Sequence, residues 1–425
     1  MANFSQIGRR LPLLDAEAKA KGQTRFASDM ALPRMLHGKI LRSPWPHARL
    51  LGVDTSRAER LPGVKAVITG RDTLGVKYGN VHVPEGFRDR LPLAMEKVRY
   101  IGDEVAAVAA VTEQIALEAL DRIKVEYEPL PAVFDPLEAM REDAPKVHAP
   151  ASNIYETKVI RKGDADAALA GADHVFERQY RTQMVEHAPL EPHAAIAVWD
   201  PNGRVTIHTT LGRITLGRAD ISRTLKLPLN RVRIVATIVG GNFGGKNEIT
   251  QEPVLALLSK KTGRPVKGVF TRGEEFASST TRHPFIMDYK TGVSKDGRII
   301  ARKVRLVLDG GAYCSWSETT LGKACILSTG PYRIDNLLVE AYAVYTNKTM
   351  TGAMRGFGAP QVCFAYESQM DEIAATLGMD PLEIRLLNAF EEGTASPTGQ
   401  GLHSVVLKDS LLRAAQRFGW KEPRS

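Results

Sequence analysis

The sequence predicts an α+β protein in two regions: a small α/β unit over residues 17–132, then a larger α+β region over 153–425. A linker at 133–152 joins them, and an extension, 1–16, precedes the first. Three observations carry this reading. At 425 residues the chain exceeds one ordinary domain. Short apolar runs alternate with helical patterns up to about residue 130, after which the runs lengthen. The composition, 43% hydrophobic and 25% charged, supplies enough apolar material for real cores.

In the first region, Leu36 to Leu41 reads as a strand, and so does Lys65 to Thr69 after the turn at Pro62-Gly63. Glu104 to Thr112 is a strand rich in alanine and valine, Gln114 to Arg122 a helix, and Ile123 to Tyr127 a strand stopped by Pro129 and Pro131. In the second, Asp173–Tyr180, Ala194–Trp199, Val205–Thr209 and Arg231–Val239 read as strands. A helix from Thr250 to Lys261 ends where Gly263 stands as its C-terminal glycine. Arg298–Leu308 and Leu338–Thr346 are further strands, and Asp380-Pro381-Leu382-Glu383 opens a helix running to Phe390.

Composition excludes several classes. The longest apolar stretch, Val105 to Val111, is far short of the ~20 residues that span a bilayer, and the first residues carry no apolar signal core. No membrane insertion and a cytoplasmic location are therefore expected. The net charge of +9 includes no basic block and no nucleic-acid motif, so nucleic acid is not expected as a partner. Cys314, Cys325 and Cys363 form no CxxC pair and cannot ligate an ordinary iron–sulfur cluster; all three are expected as buried thiols.

Two glycine loops concentrate the chemistry. In Gly240-Gly241-Asn242-Phe243-Gly244-Gly245-Lys246-Asn247 the backbone can approach a ligand closely and offer amides to an anion or an oxo group. The spacing nearly matches a nucleotide-binding P-loop, but Asn247 lacks the magnesium-binding hydroxyl and a phenylalanine inside a phosphate cradle is odd. A cofactor-facing loop, a merely tight turn and a P-loop are the readings open here. The second loop, Gly352-Ala353-Met354-Arg355-Gly356-Phe357-Gly358, again sets an aromatic ring between glycines. Glu186-His187 and Glu191-Pro192-His193 suggest a metal site, but Pro189 and Pro192 forbid the helical spacing of a zinc HExxH motif.

Taken with Arg282-His283-Pro284-Phe285, Gly310-Gly311-Ala312-Tyr313 and Tyr345-Thr346-Asn347, these loops occur in an order that resembles the molybdopterin-binding subunit of the xanthine dehydrogenase/aldehyde oxidase family of molybdenum hydroxylases. The 17–132 unit, through Ser43-Pro44-x-x-His47-Ala48-Arg49 and Tyr100-Ile101-Gly102-Asp103-Glu104-Val105-Ala106, resembles that family's α/β hammerhead domain. The remainder, 153–425, resembles its first molybdopterin-binding domain, in the manner of the large subunit of enzymes that split this portion in two.

The resemblance implies a molybdenum–molybdopterin cofactor, the cytosine dinucleotide form included, and hydroxylation of an aromatic or N-heterocyclic, nicotinate-like substrate with water. It implies partners as well: a second molybdopterin subunit bearing the catalytic glutamate, a [2Fe–2S] subunit and an FAD subunit. No catalytic residue and no direct metal ligand are expected on this chain. Phe243, Gly244, Arg355 and Gly356 would face the cofactor. Gly212 stands where the family places a glutamine on the oxo group, with Arg213 beside it. Asn247, Lys323 and Phe357 would line the substrate; the first two replace the family's purine-gripping glutamate and arginine, which argues against xanthine. The alternatives are a 4-hydroxybenzoyl-CoA reductase-like subunit, a P-loop protein and a non-catalytic assembly subunit.

Overall fold

A computed structural model describes residues 4–79, 85–148 and 152–421. The first three residues of the expected extension, residues 80–84 of the expected first unit, residues 149–151 of the expected linker and the last four residues lie outside them.

Two sheets organise the chain. The larger has seven strands in the order Val232–Ala236, Val205–Thr209, Ala194–Trp199, Val266–Val269, Leu36–Arg42, Glu104–Ala110, Val64–Thr69. Glu104–Ala110 is buried throughout. Its period of two sends Ala107 and Ala109 towards Leu255 and Leu258 of helix Glu252–Thr262, and Ala106, Val108 and Ala110 towards Ala116 and Ala119 of helix Glu113–Asp121. A strand covered on both faces explains its unbroken apolar sequence. Leu36 and His37 pair in parallel with Val266 and Lys267, so this sheet runs across the boundary expected near residues 133–152.

The five-stranded sheet runs Ile154–Lys162, Asn336–Tyr345, Ile299–Gly311, Phe285–Val293, His174–Thr182. Helices Ser317–Leu327 and Ala359–Leu377 cover one face, packing Leu321, Met370 and Ile373 on Met287, Tyr289 and Leu306. The other face, through Ile286, Val307 and Val344, buries Val133, Ala139 and Val147 of the linker.

Several boundaries move, for physical reasons. The strand expected to stop before Pro129 runs Lys124–Pro129, because it forms an edge of a three-stranded sheet where proline loses no ladder bond. The strand expected to end at Leu308 continues to Gly311 through a register shift, while Asp309 accepts from Thr346 Oγ1 (2.7 Å) and Lys348 Nζ (2.9 Å). Gly263 caps its helix at φ 62°, as expected. Asp380 accepts from the Leu382 and Glu383 amides at the start of helix Pro381–Asn388. Cys314 and Cys325 are buried, but Cys363 is exposed on helix Ala359–Leu377, which corrects the expectation of three buried thiols. Among the described residues no helix is long and apolar enough to cross a membrane.

Candidate active site

The two glycine loops, more than a hundred residues apart in sequence, are laced together. The Arg355 amide donates to the Phe243 carbonyl at 2.9 Å, so that amide is spent on holding the loops together. Gly244 adopts φ 111°, and a Cβ there would stand 2.4 Å from the Ala353 carbonyl oxygen. Only glycine permits both that conformation and that approach. Gly356, at φ 104°, would drive a Cβ to 2.5 Å from Pro360 Cδ. Each phenylalanine is itself left-handed, Phe243 at φ 50° and Phe357 at φ 47°. Left-handed backbone in a bulky residue is costly, and it persists where surrounding structure over-determines it.

Arg282 anchors the second loop by donating to the Arg355 carbonyl at 3.0 Å. Its position comes from a two-residue parallel ladder, Thr281–Arg282 against Thr351–Gly352. Asn242 organises the first loop: its Oδ1 accepts from the Gly244 and Lys246 amides at 2.9 and 3.1 Å. The amides of Gly241, Phe243 and Gly356 donate to nothing among the described residues.

The residues that suggested a metal site turn out to brace the first loop. Lys246 is fully buried and paired with Glu191 at 3.0 Å, and the Gly240 amide donates to the same carboxylate at 2.6 Å. Burial pulls the Lys246 amine below its usual range. Removing one member of such a pair costs about 3–5 kcal/mol. A lysine so buried cannot reach a nucleotide's phosphates, and the next helix starts only at Glu252, so the P-loop reading is set aside. His193 lies between Glu275 (Nδ1 to Oε1, 2.9 Å) and the Gly245 carbonyl (Nε2 to O, 3.2 Å). His187 contacts the Ala353 carbonyl at 2.8 Å through Nε2, beneath the point where the loops touch. No cluster that could hold a metal ion occurs among the described residues.

The structure also places the remaining sequence candidates. The Gly212 amide donates to the Lys246 carbonyl at 2.7 Å, but a Cβ there would meet Asn242 Nδ2 at 2.0 Å and Asn247 Oδ1 at 3.2 Å. Asn242 therefore fills the space that a side chain at 212 would need. Phe357 lies against Trp316, ring centroids 5.8 Å apart and 16° from parallel. Lys323 Nζ stands 5.9 Å from the Phe357 centroid, and the Arg213 guanidinium 4.3 Å from that of Trp316. A cation thus flanks each end of a two-ring stack.

Sequence reasoning missed Trp316, Glu248 and Ser315. Ser315, at φ 47°, donates through Oγ to Glu248 Oε1, joining the segment that carries Trp316 to the end of the first loop. Burial pushes the Glu248 carboxyl up to about 7.

Glycine loops with unspent amides, one of them carrying a ring of a stacked pair, have the chemistry to receive a planar group with anionic or oxo substituents. Comparison with known proteins makes this specific. Residues 21–131 match the family model described as aldehyde oxidase and xanthine dehydrogenase, a/b hammerhead domain, and residues 147–389 the model of the molybdopterin cofactor-binding domain. The chain belongs to the xanthine dehydrogenase/aldehyde oxidase family of molybdenum hydroxylases. Among individual relatives, it is 38% identical to the nicotinate dehydrogenase large molybdopterin subunit of Eubacterium barkeri, over 98% of this chain and 97% of that one. It is 34% identical to the aldehyde oxidoreductase of Megalodesulfovibrio gigas, over 97% of this chain but 46% of the relative. The solved aldehyde oxidoreductase from Desulfovibrio gigas superposes with a TM-score of 0.92 at 32% identity, over 97% of this chain and 47% of that one. Quinoline 2-oxidoreductase from Pseudomonas putida 86 gives 0.90 at 28%, over 96% and 53%. The chain thus spans nearly all of one relative and about half the length of the others.

Proposed function

We propose that this chain is the larger of two molybdopterin-binding subunits of a multi-subunit hydroxylase acting on an aromatic or N-heterocyclic, nicotinate-like acid. The observation that carries the reading is the lacing of the two Phe-Gly loops, which leaves the amides of Gly241, Phe243 and Gly356 unspent. Those amides fit a molybdenum–pterin group, with Phe243 and Gly244 on one side and Arg355 and Gly356 on the other. When bound, that group supplies the oxidising chemistry that inserts water-derived oxygen at an electron-poor carbon.

The protein's own part is binding and orientation. Phe357, backed by Trp316, presents a ring face to a flat substrate, and such pairs contribute about 1 kcal/mol beyond burial. Lys323 offers a point charge to a substrate carboxylate, without arginine's planar fork. Asn247 replaces a charged purine contact with a neutral amide. The general base, the iron–sulfur clusters and FAD belong to partner subunits in this reading.

Two measurements test it. Purified alone, the chain is expected to show no hydroxylation with an artificial electron acceptor; sustained turnover would overturn the split-subunit reading. With its partners, it is expected to turn over nicotinate-like acids far better than xanthine, because a pocket lacking the matching polar groups discriminates by several kcal/mol. Equal kcat/KM on the two would count against the assignment of Asn247 and Lys323.

A further inference from the structure

Glu248 has no place in the function argued so far. It follows Asn247 at the end of the first glycine loop and is partly buried. One oxygen, Oε1, accepts from Ser315 Oγ; the other, Oε2, has no hydrogen-bond partner among the described residues. Ser315 precedes Trp316, whose ring stacks on Phe357, and a Cβ on Gly352 would lie 3.0 Å from Ser315 Oγ. The dyad therefore spans the space between the two loops, next to the ring pair. Ser315 holds a left-handed backbone to make this contact.

We infer that Glu248, oriented by Ser315, recognises a ring nitrogen of the substrate, its Oε2–H donating to the lone pair of a pyridine-type nitrogen. This rests on the heterocyclic reading above and adds the residue that distinguishes a nitrogen heterocycle from a carbocyclic acid. With Oε1 occupied by a donor, Oε2 is the oxygen free to carry the proton. Burial places the carboxyl's titration at about 7, so it donates below that pH and becomes a carboxylate, repelled by the lone pair, above it.

The groups that influence it come from every neighbouring element. Arg90 and Asp89 lie on the segment after residue 84, Arg213 and Asp220 on helix Ile214–Thr224 and the residue before it, and Ser315 and Cys314 on the turn before helix Ser317–Leu327. Tyr78 also senses its charge. Asp220 and Asp89 are themselves raised by burial, to about 7 and about 6, so the test must separate them from Glu248.

The experiment measures binding of nicotinate and of benzoate, by calorimetry from pH 6 to 9, to the assembled complex reduced with dithionite so that no turnover intervenes. For the native complex, the preference for nicotinate should decline by up to about tenfold per pH unit above 7. In Glu248→Gln the preference should no longer vary with pH. In Ser315→Ala the decline should move to higher pH, since the lost donor had favoured the carboxylate. Asp220→Asn should still show the decline. A preference independent of pH in the native complex, or a decline that survives Glu248→Gln or vanishes in Asp220→Asn, would overturn the inference. Should Glu248→Gln lose molybdenum, the direction of the Ser315→Ala shift decides alone: upward supports the inference, and no shift overturns it. If the native complex retains molybdenum but binds neither acid, the functional reading fails first and takes this inference with it.

Discussion

At the scale of single residues, the site is governed by what cannot be placed in it. Gly244 combines φ 111° with a 2.4 Å approach of any Cβ to the Ala353 carbonyl, so Gly244→Val must part the loops. The expected outcome is loss of molybdenum from the purified complex, read by elemental analysis. Phe357→Ala should keep the metal and lose about 1–3 kcal/mol in transition-state binding, read as a fall in kcat/KM. The reverse pattern would exchange the roles given to the loops. Gly212 makes a subtler case. Gly212→Gln should lower molybdenum content, because Asn242 Nδ2 occupies the space a side chain would need and cannot leave without releasing the Gly244 and Lys246 amides that Asn242 Oδ1 holds. Undiminished molybdenum in Gly212→Gln would show that Asn242 yields freely. Phe357 and the glycines were legible in the sequence because the pattern is local. Trp316, Glu248 and Ser315 were not, because their partners lie 41 and 67 residues away and meet only in the fold.

At the scale of elements, buried polar pins fix how strands and helices meet. His283, at the entrance to strand Phe285–Val293, contacts Ser317 Oγ at 2.9 Å through Nε2, and its carbonyl accepts from Gln361 Nε2 at 3.0 Å. Burial pulls its imidazole from 6.5 down to about 3. The folded state therefore resists a proton that the unfolded chain takes up. The stability this supplies is complete above pH 6.5 and is lost as pH falls towards 3, by about 1 kcal/mol per unit. Substituting His283→Gln should flatten that part of the curve of stability against pH, measured by chemical denaturation; an unchanged slope would shift the acid sensitivity to other groups. Much of the element level was readable. Ala194–Trp199 and Val205–Thr209 match their expected bounds, since alternation and flanking turns agree. Helix Ser317–Leu327 escaped because it is apolar on no single face: Leu321 and Ala324 are buried, while Ile326 and Leu327 are exposed. The extension of Ile299–Gly311 past Asp309 depends on Thr346 and Lys348, which local sequence cannot supply.

At the scale of the whole molecule, the seven-stranded sheet joins residues 36–110 to residues 194–269. Neither part closes its own core: Leu36 and Ile40 pack with Leu255 and Val266 in one cluster. Expressing residues 132–425 alone should therefore give insoluble protein, and supplying 1–131 as a second chain should restore some of it to solution. A folded, monomeric 132–425 fragment would show that the shared sheet is dispensable. The family signature for each part was visible along the sequence, yet their common sheet was not, because parallel pairing at Leu36 and Val266 leaves no local trace. The same pairing has a consequence during synthesis. Strand Leu36–Arg42 leaves the ribosome roughly 220 residues before the strand it needs on that side. At about 5–20 residues per second, its edge waits some 10–45 s without that neighbour. For that interval the nascent chain offers a row of unpaired amides and carbonyls to any other extended segment in reach. The pace of translation between codons 43 and 269 is thus part of what decides how much of this protein reaches its native sheet.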